Sequence, residues 1–149
     1  MAHIEQSILI KTSIERAFHF HDDTKNLLKI TPPNVKVTFE TRGESGLGQE
    51  VMLQVRQFGL FTMHWHVKIT EYQPPHRMTD IQISGPFKSW KQTRLFREVN
   101  DSCMLTDIVE YEPPFGVLGR IADALFIRPQ IMKMFAFRQQ ATKQLLESV

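Results

Sequence analysis

Six strand-like runs follow one another between residues 35 and 112, and no other feature limits the fold as much. They span 35–42, 49–57, 62–72, 77–84, 88–99 and 102–112, with clusters of Gly, Pro, Asn and Asp between them at hairpin distances. Side chains along a strand alternate between two faces. Val35, Val37 and Phe39 therefore share one face, while Lys36, Thr38 and Glu40 share the other. Val51, Leu53 and Val55 make a second inward row, and Met63, Trp65, Val67 and Ile69 a third. Such a succession builds an antiparallel sheet with one apolar face, and that face needs a cover.

The two ends of the chain supply it. Residues 3–11 read as a further strand. In "TSIE", Thr12 stands three residues before Glu15, a capping-box spacing that opens a helix with Ile14, Ala17 and Phe18 on one side. A second short helix, "TKNLLKI", is stopped by the prolines of "TPP". From Gly116 to Val149 the alternation disappears, and good helix formers predict one long helix, kinked or broken at Pro129. It should lie across the inward face and bury most of Leu118, Ile121, Leu125, Met132 and Phe135.

The hairpin 88–112 fixes its own register. With Asn100-Asp101 as a two-residue turn, Phe96 faces Leu105, Gln92 faces Val109, Trp90 faces Tyr111 and Arg94 faces Asp107. On the other face Lys91 meets Glu110, so one register satisfies the apolar pairs and both charge pairs. A guanidinium on the face of Trp90 and Phe96 needs a partner, and Asp107 is placed to be one. The cation should in turn hold the Asp107 carboxyl below its ordinary range. The run 77–84 is less determined. An odd-numbered loop around "QPP" pairs Val67 with Ile81 and Lys68 with Asp80, which puts Asp80 outside. A bulge at Gly85 and Pro86 would instead turn Asp80 and Gln82 inward, beside Arg94 and Gln92.

Several function classes lose support on composition and motifs. At 149 residues and 42% hydrophobic, residues 1–149 suit one compact domain. A net charge of +2 without any basic run argues against nucleic acid. The lone Cys103 excludes an internal disulfide and suits a reducing compartment. No leader or spanning segment is visible, so a cytoplasmic protein is expected. His64 and His66 share a strand face with Lys68 and Thr70, which reads as a solvated face, and the histidines of "HFHDD" diverge by about 200° on a helix. No metal and no cofactor are expected. "GESGLGQE" lies between strands, without the helix that a phosphate cradle needs. "FGLF", residues 58–61, reads as a tip folded onto the core, a gate over a cavity, or a membrane-touching tip.

The stretches "ITEYQPPHRMTD", "GPFKSW" and "LTDIVEYEPPFGVLGR", with the helix after them, resemble the START-like (SRPBCC) superfamily. The likeness is to its polyketide cyclase/dehydrase and lipid-transport-type branch. It implies an α+β helix-grip fold: a seven-stranded curved antiparallel sheet wrapped around a long C-terminal helix, with two short helices after strand 1. It also implies a cavity between sheet and helix for a hydrophobic small molecule, such as a lipid, a quinone or an aromatic polyketide. Asp107, Tyr111, Pro114, Phe115 and Gly116 match the pattern. Relatives often carry a histidine where this chain has Gln92, which weakens any acid–base role there.

The candidate pocket is Trp65, Trp90, Gln92, Arg94, Phe96, Asp107, Val109, Tyr111, Leu125 and Met132. Mostly apolar walls with a few convergent polar groups are the usual make-up of a ligand site. Met132 and Met134 suit an adaptable wall. Binding without chemistry and a cyclase- or dehydratase-type enzyme both fit this set. A paired, ionised Asp107 is a poor base and Gln92 does not transfer protons, so binding is preferred and no catalytic residue is assigned. The expected partners are the small molecule and, transiently, a membrane; the oligomeric state is left open.

Overall fold

The computed structural model describes residues 1–57 and 61–148. Its strands are β1 (Ala2–Ile10), β2 (Val35–Thr41), β3 (Glu50–Gln57), β4 (Phe61–Gln73), β5 (Arg77–Ser84), β6 (Ser89–Val99) and β7 (Ser102–Glu112). They form one seven-stranded antiparallel sheet in the order β1-β7-β6-β5-β4-β3-β2. The first strand lies beside the last. Helix α1 (Ile14–Asp22) and a 3₁₀ helix, Thr24–Ile30, then carry the chain to the opposite edge, where β2 begins. With the C-terminal helix packed across the curved sheet, this is the helix-grip fold. The tip of the β3–β4 hairpin, where the "FGLF" reading falls, has residues 58–60 outside the described residues.

The β6–β7 hairpin has the register that its sequence implies. Asn100 and Asp101 both adopt positive φ, 47° and 66°, as a two-residue turn of the twisted hairpin kind requires. Arg94 lies opposite Asp107, Trp90 opposite Tyr111, and Lys91 opposite Glu110. Helix α1 buries Ile14, Ala17 and Phe18, but its cap is Ser13 rather than Thr12: the Ser13 hydroxyl accepts the Arg16 N–H at 3.1 Å.

The β4–β5 pair departs from the simple register. Irregularities between His66 and Val67, and between Ile69 and Glu71, shift the pairing. Val67 now faces Gln82, Lys68 faces Ile81 and Ile69 faces Asp80. A bulge adds one residue to one strand and turns the pleat after it. Asp80 consequently sits opposite Gln92 of β6, and Met78 opposite Arg94. Asp80 faces inward: one irregularity adds Thr70 to β4 between Ile69 and Glu71, and the other adds Ile83 to β5, just before Gly85 and Pro86.

The C-terminal helix runs without a break through α2 (Gly116–Ala122), a π-helical turn (Asp123–Ile127) and α3 (Arg128–Glu147). Pro129 has no N–H to give and its ring crowds the preceding turn. The wide turn immediately before it relieves both. Of the five residues expected to be buried by this helix, Phe135 is, at 3% exposed. Leu118, Ile121, Leu125 and Met132 are not; they are 75%, 54%, 63% and 40% exposed. Gly119 supplies the reason. A Cβ there would come within 1.6 Å of the Pro114 carbonyl oxygen, so α2 lies with its glycine flat against that backbone. The large apolar neighbours are thereby turned outward. In α3 the inward stripe is Ile131, Met134, Phe135, Arg138, Thr142 and Leu146.

Candidate functional site

Between the sheet and α3 lies a cavity of about 410 Å³, within the usual range for ligand sites. Strands β2 and β3 supply its apolar wall, where alternation puts Val35, Val37, Val51, Leu53 and Val55 on one face. Each of the five keeps between 4% and 9% of its surface exposed. Trp65, Phe87 and Trp90 form an aromatic end, with the two indoles edge to face at 5.0 Å between centroids. Ile131, Met134 and Phe135 close the cavity from the helix side.

One end is charged. His21 comes from α1, Asp80 from β5, Gln92 and Arg94 from β6, and Arg138 from α3. Nδ1 of His21 lies 2.9 Å from the Ala17 carbonyl, which makes Nδ1 the protonated nitrogen. Enclosure, reinforced by the Arg94 charge, lowers its pKa to about 3, so the imidazole is neutral. Enclosure raises the Asp80 carboxyl to about 6 against the pull of Arg94 and Arg138. It lowers Arg138 to about 10, helped by the like charge of Arg94.

The Arg94–Asp107 pair exists, with Nε 3.7 Å from Oδ1. That is long for a charge-assisted bond. The Gln92 amide nitrogen can sit 3.4 Å from Asp107 Oδ1. With the amide reversed, its oxygen accepts from Arg94 Nε and Nη2 at 3.2 Å each. Two contacts to a cation outweigh one long one, and the reversed orientation is the stable one. Asp107 instead takes its best hydrogen bond, 2.9 Å, from Gln139 Nε2. Its pKa is raised, not lowered as the pairing suggested, because burial outweighs Arg94, Gln139 and Arg138 together.

Of the sequence-derived pocket residues, Trp65, Trp90, Gln92 and Arg94 line the cavity. Asp107 stands behind Gln92, 5% exposed. Phe96 packs instead in a closed cluster with Ile10, Phe18, Leu105 and Leu146. Val109 and Tyr111 belong to the aromatic cluster around Trp90, outside the cavity lining. The Tyr111 hydroxyl donates to Asp123 Oδ1 at 2.6 Å and ties the π turn to β7. Leu125 and Met132 lie on the outer side of the helix. Sequence reasoning missed His21 and Arg138 as lining groups and favoured the wrong face for Asp80. A signal for Arg138 was present: it falls three residues after Phe135 and four before Thr142, on one helical stripe.

A shallower polar depression of about 590 Å³ shares Asp23, Thr24, Phe39 and Gln49 with the cavity, which places it against that rim. On the outer face, His64 pairs with Glu40 at 3.0 Å and His66 with Glu50 at 2.8 Å. Among the described residues, no group of three or more His, Cys, Asp or Glu could hold a metal.

The family model described as polyketide cyclase/dehydrase and lipid transport matches residues 1–147. The chain belongs to this family. Solved structures with the same fold include a protein of Thermus thermophilus, 14% identical, covering 96% of this chain and 95% of that one, with a TM-score of 0.80. A START superfamily protein from Mycobacterium smegmatis is 15% identical, covers 98% and 97% of the two chains, and has a TM-score of 0.73. Major latex-like protein 151 from Panax ginseng is 14% identical over 97% of each chain, with a TM-score of 0.74. No curated protein matches the sequence. The family model gives the family of this chain, and the solved structures share its fold.

Proposed function

We propose that the protein binds or carries a hydrophobic small molecule (a lipid, a quinone or an aromatic polyketide-like compound) in the cavity between the sheet and the C-terminal helix. The apolar wall carries this reading: five aliphatic side chains of β2 and β3 pack into one cluster that lines a cavity large enough for a ligand. Thermal denaturation with a panel of fatty acids, quinones and aromatic polyketides tests it. A native-state ligand raises the melting temperature in a saturable way. A panel without any shift contradicts the reading.

A cyclase- or dehydratase-type enzyme is a second reading, favoured by Asp80. A general acid or base works best when it titrates near the operating pH, and a carboxyl raised to about 6 comes close. The neutral His21 lines the same end. Chemistry predicts that a bound candidate substrate is altered by the wild type and left intact by Asp80→Asn. Carriage predicts that both return it unchanged.

The outward face of α2 and the π turn supports a transient contact with an anionic lipid surface. Phe115, Val117, Leu118, Ile121, Leu125 and Phe126 are all more than half exposed. Residues 115–134 carry Arg120, Arg128 and Lys133 against one acid, Asp123, which Tyr111 engages. Apolar side chains flanked by cations fit an anionic membrane surface. Co-sedimentation with phosphatidylserine-containing vesicles, lost in Leu118→Asp, is the expected result. Equal recovery with neutral vesicles contradicts it. Among the described residues no helix is long and apolar enough to cross a membrane, and a cytoplasmic location is part of this proposal.

A further inference from the structure

Arg138 is the least explained group in the molecule. Its Nε is fully enclosed and has no hydrogen-bond partner, and its guanidinium lies over the Phe135 ring at 5.2 Å from the centroid. Among the described residues no carboxylate comes within ion-pair distance of it. A cation taken out of water is costly unless it is paired and hydrogen-bonded. Arg94 is only partly used as well. Its Nε and Nη2 turn to Gln92, while Nη1 has only the Met78 sulfur at 4.0 Å. Two guanidinium groups from opposite walls, β6 and α3, thus keep unused donors at the same end of the cavity.

We infer that the ligand carries a compact monoanionic end of the carboxylate class, seated against the guanidinium groups of Arg138 and Arg94, with its apolar body along the β2–β3 wall. This rests on the ligand-binding reading above and narrows it. A carboxylate matches the planar fork of arginine donors and satisfies two of them at once. The local charge argues for a compact anion: Arg94 and Arg138 bring two positive charges to one end of the cavity, and the Asp80 and Asp107 carboxyls beside them disfavour a second negative charge on the ligand.

Asp80 gives the site a pH dependence. It is faced by His21 from α1, Arg94 from β6, Arg138 from α3 and Asp107 from β7. His21 is neutral there, so it does not change the count. An incoming carboxylate competes with the Asp80 carboxylate for the same two cations, and the competition ends when Asp80 takes a proton. Its pKa of about 6 puts that step within reach of mild acidification. Anion affinity therefore falls as pH rises above about 6, while that of a neutral analogue stays level.

Matched probes test the inference on the intact chain: decanoate against decanol, and naphthylacetate against its amide, by titration calorimetry at pH 6 and pH 8. In the wild type the anion of each pair binds at least about tenfold tighter at pH 6, the lower end of what a hydrogen bond to a charged group contributes. Arg138→Met lowers the anion's affinity by about 10- to 100-fold and leaves the neutral probe within about threefold. Arg138→Lys restores part of the preference. If Arg138→Met does not fold, the wild-type pairs and Arg138→Lys decide. Neutral probes that bind as tightly as the anions overturn the anionic end and leave the cavity reading intact. So does a preference that survives in both Arg138→Met and Arg94→Met. If neither member of either pair binds, the cavity reading falls, and this inference falls with it.

Discussion

The cluster around Phe18 and the wall around Leu53 are made of similar residues and have opposite uses. In the first, Ile10, Phe18, Phe96, Cys103 and Leu105 retain 2% of their surface or less, because α1 and the end of α3 close over the β1–β7–β6 part of the sheet. In the second, Val35, Val37, Val51, Leu53 and Val55 line the cavity, because α3 packs its backbone against β1 and not against β2 or β3, and reaches this cluster through Met134. One cluster contributes stability. The other, on the proposed reading, keeps apolar surface available to a ligand. Composition does not separate them; the closeness of the opposite layer does.

The sharpest way to break this comparison is to truncate each cluster in turn. Phe18→Ala should cost about 3–5 kcal/mol in urea unfolding and leave ligand affinity unchanged. A smaller cost, or a lost ligand, would mean that the closed cluster also belongs to the site.

His21 stands at the border, touching Phe96 at 5.5 Å between ring centroids while lining the cavity. Its pKa is about 3 when folded and about 6.5 when unfolded, so its contribution is whole above pH 6.5 and lost as pH falls. Between pH 7 and pH 4 that amounts to about 3 kcal/mol. Asp80 acts in the opposite sense. Its raised pKa means that its contribution is whole below about pH 4 and lost as pH rises through 6. Asp80→Asn should therefore stabilise the protein by about 3 kcal/mol at pH 7 and by almost nothing below pH 4. The wild type should show a nearly flat profile from pH 4 to 6. His21→Gln should tilt it toward acid stability and Asp80→Asn toward neutral stability. Parallel profiles for the two variants would contradict the assignment.

Leu53→Ala is the mildest of the set. It should cost about 2 kcal/mol, the low end for a leucine truncation, since its side chain already borders a cavity. The effect on a bound ligand should be larger in relative terms, because the lost contacts are with the ligand.

The sequence was most legible where local chemistry decides. Asn100-Asp101 fixes its turn through positive φ, and the whole β6–β7 register follows, which is why the inward facing of Trp90, Gln92 and Arg94 was legible. Residues 77–84 were ambiguous because the irregularities at His66–Val67 and Ile69–Glu71 leave no clear mark in composition. They hid the inward turn of Asp80. The C-terminal helix misled for another reason. Leu118, Ile121 and Leu125 look like core, and only the close approach of Gly119 to Pro114 shows that the small side, not the large one, faces in. Tyr111 was correctly judged buried, but its hydroxyl serves Asp123 and not a ligand.

The central claim is that the space between β2–β3 and α3 is a binding site and not slack packing. Filling it is the direct measurement: titrate an environment-sensitive apolar dye into the wild type and into a Val37→Phe, Leu53→Trp double variant. The expected result is one saturable site in the wild type, at least tenfold weaker binding in the filled variant, and a melting temperature equal or higher. Equal dye binding by both proteins would contradict the account and move the ligand to the exposed face of α2.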